Sequence, residues 1–174
     1  LRRIPVITHE SDLSIGLATR IITKLARKTL YSFTETRKFL SSVPSEYVGL
    51  PIRTKLLKGE KDKGLKICGF EESQGHPVIL CMGGSQGSKR LNEAMRESLP
   101  QLLESWRVVH ITGKGNLSSG LNSKQYRQFE FVGEELCHLY SLADVVISRA
   151  GANSLFELLA VRKPMLLIPL KAGS

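Results

Sequence analysis

The glycine-rich segment GGSQG, at residues 83–87, follows an apolar run and precedes a helical pattern. Free backbone N–H groups and the helix dipole favour an anion at such a strand-to-helix turn. Its glycines allow a tight turn and let a phosphate approach the backbone, and the Ser85 hydroxyl can donate a further hydrogen bond. The segment is neither G-x-G-x-x-G nor a P-loop. It predicts either a phosphate-binding turn or a plain turn in which Ser85 caps the helix.

A second candidate site is the segment SRAGANSLFE at residues 148–157. Ser154 and Glu157 have the spacing of a capping box, in which the acidic side chain reaches back to the cap residue. In the alternative interpretation, Glu157 lies in the first helical turn and accepts hydrogen bonds from the two vicinal hydroxyls of a ribose. Arg149, just past a strand, would pair with a phosphate or a neighbouring carboxylate.

Charged residues elsewhere suggest further chemistry. In HESD, at residues 9–12, a histidine beside carboxylates suggests acid–base catalysis or metal binding. However, His9 and Glu10 are adjacent on an extended chain and point to opposite faces, so this segment alone predicts no metal site. Arg53 is either a surface charge or a guanidinium at the mouth of an interdomain cleft that recognises a phosphate or a carbonyl. Three other histidines show no ligand spacing: His76, His110 and His138.

Strand-like apolar runs alternate with helical patterns, which predicts an α/β fold: a parallel sheet with helices on both faces. Ligands of such sheets bind at the carboxyl ends of the strands. The predicted strands are 4–8, 29–33, 47–51, 77–82, 107–112, 129–132, 144–148 and 164–170. The predicted helical segments are 15–25, 34–40, 88–103, 136–142 and 154–161. The polar, lysine-rich residues 53–66 are predicted to link two domains, 1–52 and 67–174.

The composition, with 174 residues of which 41% are hydrophobic and 24% charged, is ordinary for a globular chain. No apolar stretch approaches the ~20 residues of a membrane-spanning helix. Three cysteines without a C-x-x-C pair argue against a disulfide framework and fit a reducing compartment. The net charge of +9 lies mostly in residues 1–66, with 14 basic and 6 acidic side chains. Such a surface attracts phosphates, nucleic acid or anionic membranes, or is simply solvated.

Five segments, in order and spacing, resemble the MurG family: THESDLSIGLATRIITKLARK, YVGLPIR, MGGSQGSKRLNEAM, HITGKG and ISRAGANSLFELLAVRKPMLLIPL. This family transfers N-acetylglucosamine from UDP-N-acetylglucosamine to the undecaprenyl-diphosphate-linked muramoyl-pentapeptide of peptidoglycan synthesis. The resemblance implies a GT-B fold, with two Rossmann-like domains across a cleft. It also implies an interior fragment, with residues 1–52 from the N-terminal, acceptor-side domain and residues 67–174 from a truncated C-terminal, UDP-sugar-binding domain.

The resemblance implies these substrate-binding residues: Arg53, Ser85, Gln86, Gly87, Asn92, Val132, Arg149, Ser154 and Glu157. Among them, Ser85 and Gln86 would face the donor diphosphate, and Glu157 would bind the ribose hydroxyls of the uridine. The backbone of Val132 would read the uracil edge, and Arg53 would lie near the donor.

On the acceptor side, His9 and Glu10 match the family's HE-x-N segment and are candidate catalytic residues. Asp12 and Thr19 stand where the family has asparagines, so the acceptor side departs from the pattern. The family's own candidate catalytic histidine would precede residue 1. We therefore expect the chain alone to be inactive.

The resemblance further implies an inverting, metal-independent hexosyltransferase without a cofactor, and the absence of an Asp-x-Asp sequence is consistent with this. Its partners would be the two substrates and an anionic membrane surface, at the cytoplasmic face of the bacterial cell membrane, with no nucleic acid. One alternative keeps the fold but makes the enzyme a UDP-N-acetylglucosamine 2-epimerase. The other is a basic nucleic-acid-binding module, which an aromatic content of 6% and the lack of a reader motif disfavour.

Overall fold

The computed structural model describes residues 4–71, 75–84 and 87–169, and the chain divides into two compact units, Leu1–Pro51 and Ile52–Ser174. The first unit contains a parallel sheet in the order β1-β2-β3. Its strands are β1 (Ile7–Glu10), β2 (Lys28–Tyr31) and β3 (Ser45–Tyr47). Helix α1 (Leu17–Ile22) connects β1 to β2, and a 3-10 helix (Thr34–Phe39) connects β2 to β3.

The second unit contains a five-stranded parallel sheet in the order β6-β5-β4-β7-β8. Its strands are β4 (Val78–Met82), β5 (Arg107–Ile111), β6 (Tyr126–Phe129), β7 (Val145–Arg149) and β8 (Met165–Ile168). Its helices are a 3-10 helix (Thr54–Lys58), α2 (Lys61–Cys68), α3 (Lys89–Leu102), α4 (Leu136–Leu142) and α5 (Ala152–Ala160). This order is that of a Rossmann-like sheet, because the chain builds outward from β4 first on one side and then on the other.

Helices cover both faces of this sheet, as the alternating pattern predicts. Every residue of the central strand β4 is buried, and successive side chains point to opposite faces. Leu80 belongs to a core that includes residues of α2, α4 and α5, whereas Cys81 packs with Leu91 and Met95 of α3. The α/β class predicted from the sequence is confirmed.

Residues 53–66, predicted as a connection between domains, lie within the second unit and are largely helical. They form the 3-10 helix and most of α2, and they bury Leu56 and Leu65 in the core. The backbones of α2 and α4 approach closely, since a Cβ added at Gly64 would lie 2.6 Å from the carbonyl oxygen of His138. Each of these short helices buries only a few apolar residues and is otherwise rich in lysine. The segment therefore has the composition of a solvated linker, although it is part of the folded unit.

Several strand boundaries differ from the predicted ones. Strand β6 covers Tyr126–Phe129 instead of 129–132, because its polar side chains find partners inside the protein: the Arg127 guanidinium donates to the Cys68 carbonyl at 2.8 Å. Likewise, β1 begins three residues later than predicted and β3 covers Ser45–Tyr47 instead of 47–51. The central strands β4 and β5 lie where the apolar runs predict them.

Candidate functional site

The two glycine-containing motifs leave neighbouring strands at the same edge of the sheet. Strand β4 is the point where the strand order reverses, and its carboxyl end lies beside that of β7, because Met82 pairs with Ser148. In open parallel sheets, a crevice for ligands forms at this kind of reversal. Residues 83–84, 87–88 and 149–151 therefore border the candidate site.

The turn after β4 is compact and packs against the end of β5. The N–H of Gly87 donates to the carbonyl of Gly84 at 3.0 Å, and both glycines have positive φ, +75° and +83°. A Cβ at Gly87 would lie 2.2 Å from the carbonyl oxygen of Thr112, so only glycine fits there. No atom of the described residues lies within 4 Å of a Cβ at Gly84, unlike at Gly87. The other two residues of the motif, Ser85 and Gln86, lie outside the described residues.

Helix α3 begins at the end of this turn. Ser88 is its N-cap residue and its side chain makes no capping hydrogen bond to the described part of the chain. The first N–H groups of a helix have no partner within the helix and attract anions. The start of α3 thus offers N–H donors at the candidate site that the Ser88 side chain does not cap.

Glu157 is held by two donors of different kinds. The Arg53 guanidinium donates to Oε1 at 3.1 Å, and the Tyr140 hydroxyl donates to Oε2 at 3.2 Å. The Arg53 side chain is 60% exposed, whereas that of Glu157 is 17% exposed and Tyr140 is fully buried. One carboxylate oxygen therefore bonds to a buried group, Tyr140, and the other bonds to a mostly exposed group, Arg53. Nothing in the sequence singles out Tyr140, since an isolated tyrosine in an apolar helix has no motif.

The capping-box interpretation of Ser154 and Glu157 is wrong. Helix α5 begins at Ala152 with Gly151 as its N-cap, so Ser154 is the third helical residue and not the cap. Glu157 is the sixth helical residue and lies in the second turn, not the first. Its carboxylate is consequently free of any capping role and contacts Arg53 and Tyr140.

Two further predicted residues also lie on the carboxyl side of the second sheet. Arg149 is the last residue of β7 and is half-buried. Val132 lies in the loop that follows β6 and packs, half-buried, against the core. The structure thus brings both to the edge where the motifs leave the sheet, and their roles in binding stay predictions.

Asn92, predicted to bind substrate, is buried in α3 and uses its amide within the protein. Its Nδ2 donates to the Thr112 carbonyl at 2.8 Å, which turns its Oδ1 toward Nε2 of His110 at 3.0 Å. Nε2–H therefore donates to Asn92, and Nδ1 accepts from the Tyr126 hydroxyl at 2.9 Å. Burial, and to a smaller extent the charge of Arg96, lowers the pKa of His110 to about 4. Asn92 and His110 thus fasten α3 to β5 beside the turn.

In the first unit, His9 and Glu10 lie at the end of β1 and form separate contacts. His9 Nε2 is 3.1 Å from both the Gly49 carbonyl oxygen and the Ser32 hydroxyl oxygen. Glu10 is buried, and its Oε1 accepts the N–H of Asp12 at 3.1 Å. His9 and Glu10 thus bond to different partners, and their catalytic roles stay predictions.

The three cysteines lie in the interior, and two of them have unreactive thiols. All are free and buried, and burial raises the pKa of Cys68 and of Cys81 to about 12. Among residues 4–71, 75–84 and 87–169, no three side chains of the His, Cys, Asp and Glu types are grouped so that they could hold a metal ion. The same residues include no helix with the length and apolarity needed to cross a bilayer.

Comparison with known proteins places these features in a family. The transferase named "UDP-N-acetylglucosamine--N-acetylmuramyl-(pentapeptide) pyrophosphoryl-undecaprenol N-acetylglucosamine transferase" in Clostridium botulinum is 52% identical over 171 residues, 98% of this chain and 47% of that protein. The protein of the same name in Geobacillus thermodenitrificans is 50% identical over 176 residues, 100% of this chain and 49% of that protein. The chain thus spans about half the length of the curated relatives it matches.

The fold is shared with a solved structure. The crystal structure of Acinetobacter baumannii MurG matches 98% of this chain and 47% of its own, with a TM-score of 0.66 and 23% sequence identity. Residues 78–174 match the model of the glycosyltransferase family 28 C-terminal domain, which covers more than half of the chain. The chain belongs to glycosyltransferase family 28.

Proposed function

We propose that the chain is part of an enzyme that transfers N-acetylglucosamine from UDP-N-acetylglucosamine to the lipid-linked muramoyl-pentapeptide of peptidoglycan synthesis. The observation that carries this proposal is the position of the Glu157 carboxylate in α5, the helix that directly follows β7. Beside β7, the turn after β4 leads into the start of α3, whose first N–H groups the Ser88 side chain leaves uncapped. A nucleoside diphosphate has the matching chemistry, with ribose hydroxyls that donate and phosphates that accept.

In this proposal, Glu157 accepts hydrogen bonds from the ribose hydroxyls, and Ser154 lies one helical turn earlier on the same helix. The backbone of Val132 reads the uracil edge. Arg53 and Arg149 supply positive charge for the diphosphate. Ser85, Gln86 and Gly87 belong to the turn that faces this diphosphate, as the family resemblance implies.

The chemical step we propose inverts the anomeric carbon: a hydroxyl of the acceptor sugar gives its proton to a base and attacks this carbon as UDP departs. The negative charge that develops on UDP is stabilised by the first N–H groups of α3 and by its dipole, aligned over a 14-residue helix. Such stabilisation needs no divalent ion, which supports a metal-independent mechanism. His9 and Glu10 are the acceptor-side candidates in the first unit.

Asn92 has a different role in this proposal from the one predicted for it. Its amide is engaged by Thr112 and His110 in the interior. It would therefore act on the ligand indirectly, by fixing the start of α3 relative to the end of β5.

The proposed location is the cytoplasmic face of the bacterial cell membrane, with the protein bound peripherally through an anionic lipid surface. The charge of the chain supports this, because +9 attracts anionic headgroups. The names of the relatives, which describe an undecaprenol-linked acceptor, support a membrane-borne substrate.

The proposal is tested with the product of the complete gene, UDP-N-acetylglucosamine and a lipid-linked muramoyl-pentapeptide acceptor. We expect a β-linked disaccharide product, and transfer that persists in EDTA. Incubation with UDP-N-acetylglucosamine alone should leave that nucleotide sugar unchanged. Conversion to its 2-epimer without acceptor, or tighter binding of ADP than of UDP, would contradict the proposal.

A further inference from the structure

Tyr140 contacts Glu157 and is fully buried in α4. Its hydroxyl oxygen is 3.2 Å from Glu157 Oε2 and 3.6 Å from the sulfur of Met82, the last residue of β4. A tyrosine hydroxyl has one proton to donate, and a carboxylate is a much stronger acceptor than a thioether. The hydroxyl therefore donates to Glu157, at the point where the central strand ends.

The two oxygens of Glu157 are unequally available. Oε2 bonds to a donor that has no exposure to solvent, whereas Oε1 bonds to Arg53, whose side chain is 60% exposed. An ion pair with one partner this exposed contributes little free energy and exchanges readily with solvent or ligand. Oε1 is consequently the oxygen that a ligand can reach, and Oε2 is the one that sets the direction of the carboxylate.

We propose that Tyr140 is a positioning residue that orients the Glu157 carboxylate for the ribose hydroxyls of a uridine diphosphate ligand, an inference that rests on the proposed function. Tyr140 does not touch the ligand. It fixes one carboxylate oxygen, so that the other oxygen faces outward when the ribose displaces Arg53.

The protonation of Tyr140 supports this role. Burial, and next the neighbouring charge of Glu157, raises the pKa of the Tyr140 hydroxyl well above its usual range. The hydroxyl thus stays protonated at neutral pH and remains a hydrogen-bond donor. An anchor of this kind lowers the entropic cost of binding, because the carboxylate is ordered before the ligand arrives.

The test compares UDP with 2′-deoxy-UDP by calorimetric titration of the full chain and of its Tyr140→Phe variant. Phenylalanine keeps the ring in the core and removes only the hydroxyl. We expect the preference for UDP to fall about three- to tenfold in the variant, the effect of one lost hydrogen bond. The affinity for 2′-deoxy-UDP should fall less, whereas general loosening of the unit would weaken both ligands equally.

Tyr126→Phe is the matched control. Tyr126 is also fully buried in the second unit, and its hydroxyl donates to His110 and not to Glu157. This variant loses one buried hydrogen bond as well, so its melting temperature should also fall, but its preference for UDP should stay that of the wild type. An equal change of preference in both variants overturns the inference.

A measurement on the wild-type chain does not depend on how the variants fold. In a sample with ¹³Cζ-labelled tyrosine, saturation with UDP should shift the signal of Tyr140 and leave that of Tyr126 in place. Suppose that the wild type prefers UDP, that its Tyr140 signal does not shift, and that Tyr140→Phe keeps the same preference. These results together would overturn the positioning role of Tyr140 alone. A wild type that does not bind UDP overturns the nucleotide site and this inference with it.

Discussion

At the scale of single residues, Glu157 gives the most specific prediction, because its environment allows an effect on ligand binding to be told apart from an effect on folding stability. Helix α5 is capped at Gly151, so Glu157 has no part in starting the helix. Its partner Arg53 is mostly exposed. A change at Glu157 should therefore affect ligand choice far more than folding.

We expect Glu157→Gln to lose most of the preference for UDP over 2′-deoxy-UDP. The glutamine oxygen can still accept from Tyr140, but the charge and one acceptor oxygen are gone. Losing the exposed pair with Arg53 should cost about 0.2–1 kcal/mol of stability. Glu134→Gln is the control, because it removes another exposed ion pair, 2.7 Å long, with Lys55. Equal discrimination by the wild type and Glu157→Gln would show that Glu157 does not bind the ribose.

His110 predicts a dependence of stability on pH. Its pKa is about 4 in the folded protein against 6.5 in the unfolded chain, so between these values the unfolded state binds more protons. Stability that is present above pH 6.5 is therefore lost as the pH falls toward 4, by roughly 3 kcal/mol. The free energy of unfolding, followed in urea by the fluorescence of Trp106, the only tryptophan in the chain, measures this loss. His110→Gln cannot titrate there, and the same slope in that variant would contradict the assignment.

At the scale of elements, the turn between β4 and α3 depends on two glycines for different reasons. Both have positive φ, but only Gly87 lies against backbone, with Thr112 O 2.2 Å from its added Cβ. Gly84→Ala should therefore cost about 1 kcal/mol, the strain of a left-handed residue. Gly87→Ala should cost about 1–3 kcal/mol more, because the turn must move away from β5. Urea unfolding of both variants measures the difference, and equal losses would show that the turn does not pack against β5.

The sequence predicts the strands whose buried side chains are mostly apolar and misplaces the strand whose buried side chains are mostly polar. Strand β4 is a run of apolar residues, and β5 has three apolar residues, Val108, Val109 and Ile111; both strands lie where predicted. Strand β6 was placed three residues too late because Tyr126, Arg127 and Gln128 look like surface residues, although each has a partner inside the protein. Such partners lie far apart in the sequence, and no local pattern reveals them.

The same reason limits what could be predicted of the candidate site. The segments 83–87 and 148–157 were recognisable, because glycines between a strand and a helix have a local pattern. The contact between Arg53 and Glu157 joins residues 104 positions apart, and Tyr140 reaches the same carboxylate from another helix. The helix start at Gly151 was missed because Ser154 and Glu157 imitate a capping box.

At the scale of the whole molecule, the features that would bind a nucleotide all belong to one compact unit. The turn after β4, the start of α3 and the cluster of Arg53, Tyr140 and Glu157 lie within Ile52–Ser174. The acceptor-side candidates, His9 and Glu10, lie in the other unit, Leu1–Pro51. Recognition of the donor should therefore be separable from transfer of the sugar.

We expect the 174-residue chain to bind UDP but not to transfer N-acetylglucosamine, whereas the product of the complete gene does both. The chain spans about half the length of its curated relatives, and we expect the transfer step to need groups from the rest of such a protein. The measurement is a titration with UDP beside an assay of transfer to a lipid-linked acceptor, on both proteins at equal concentration. Glu157→Gln in both proteins is the control, since it should weaken UDP binding in each to a similar extent. Measurable transfer by the 174-residue chain would show that its two units already contain the catalytic groups. His9 and Glu10 would then be the first candidates for those groups.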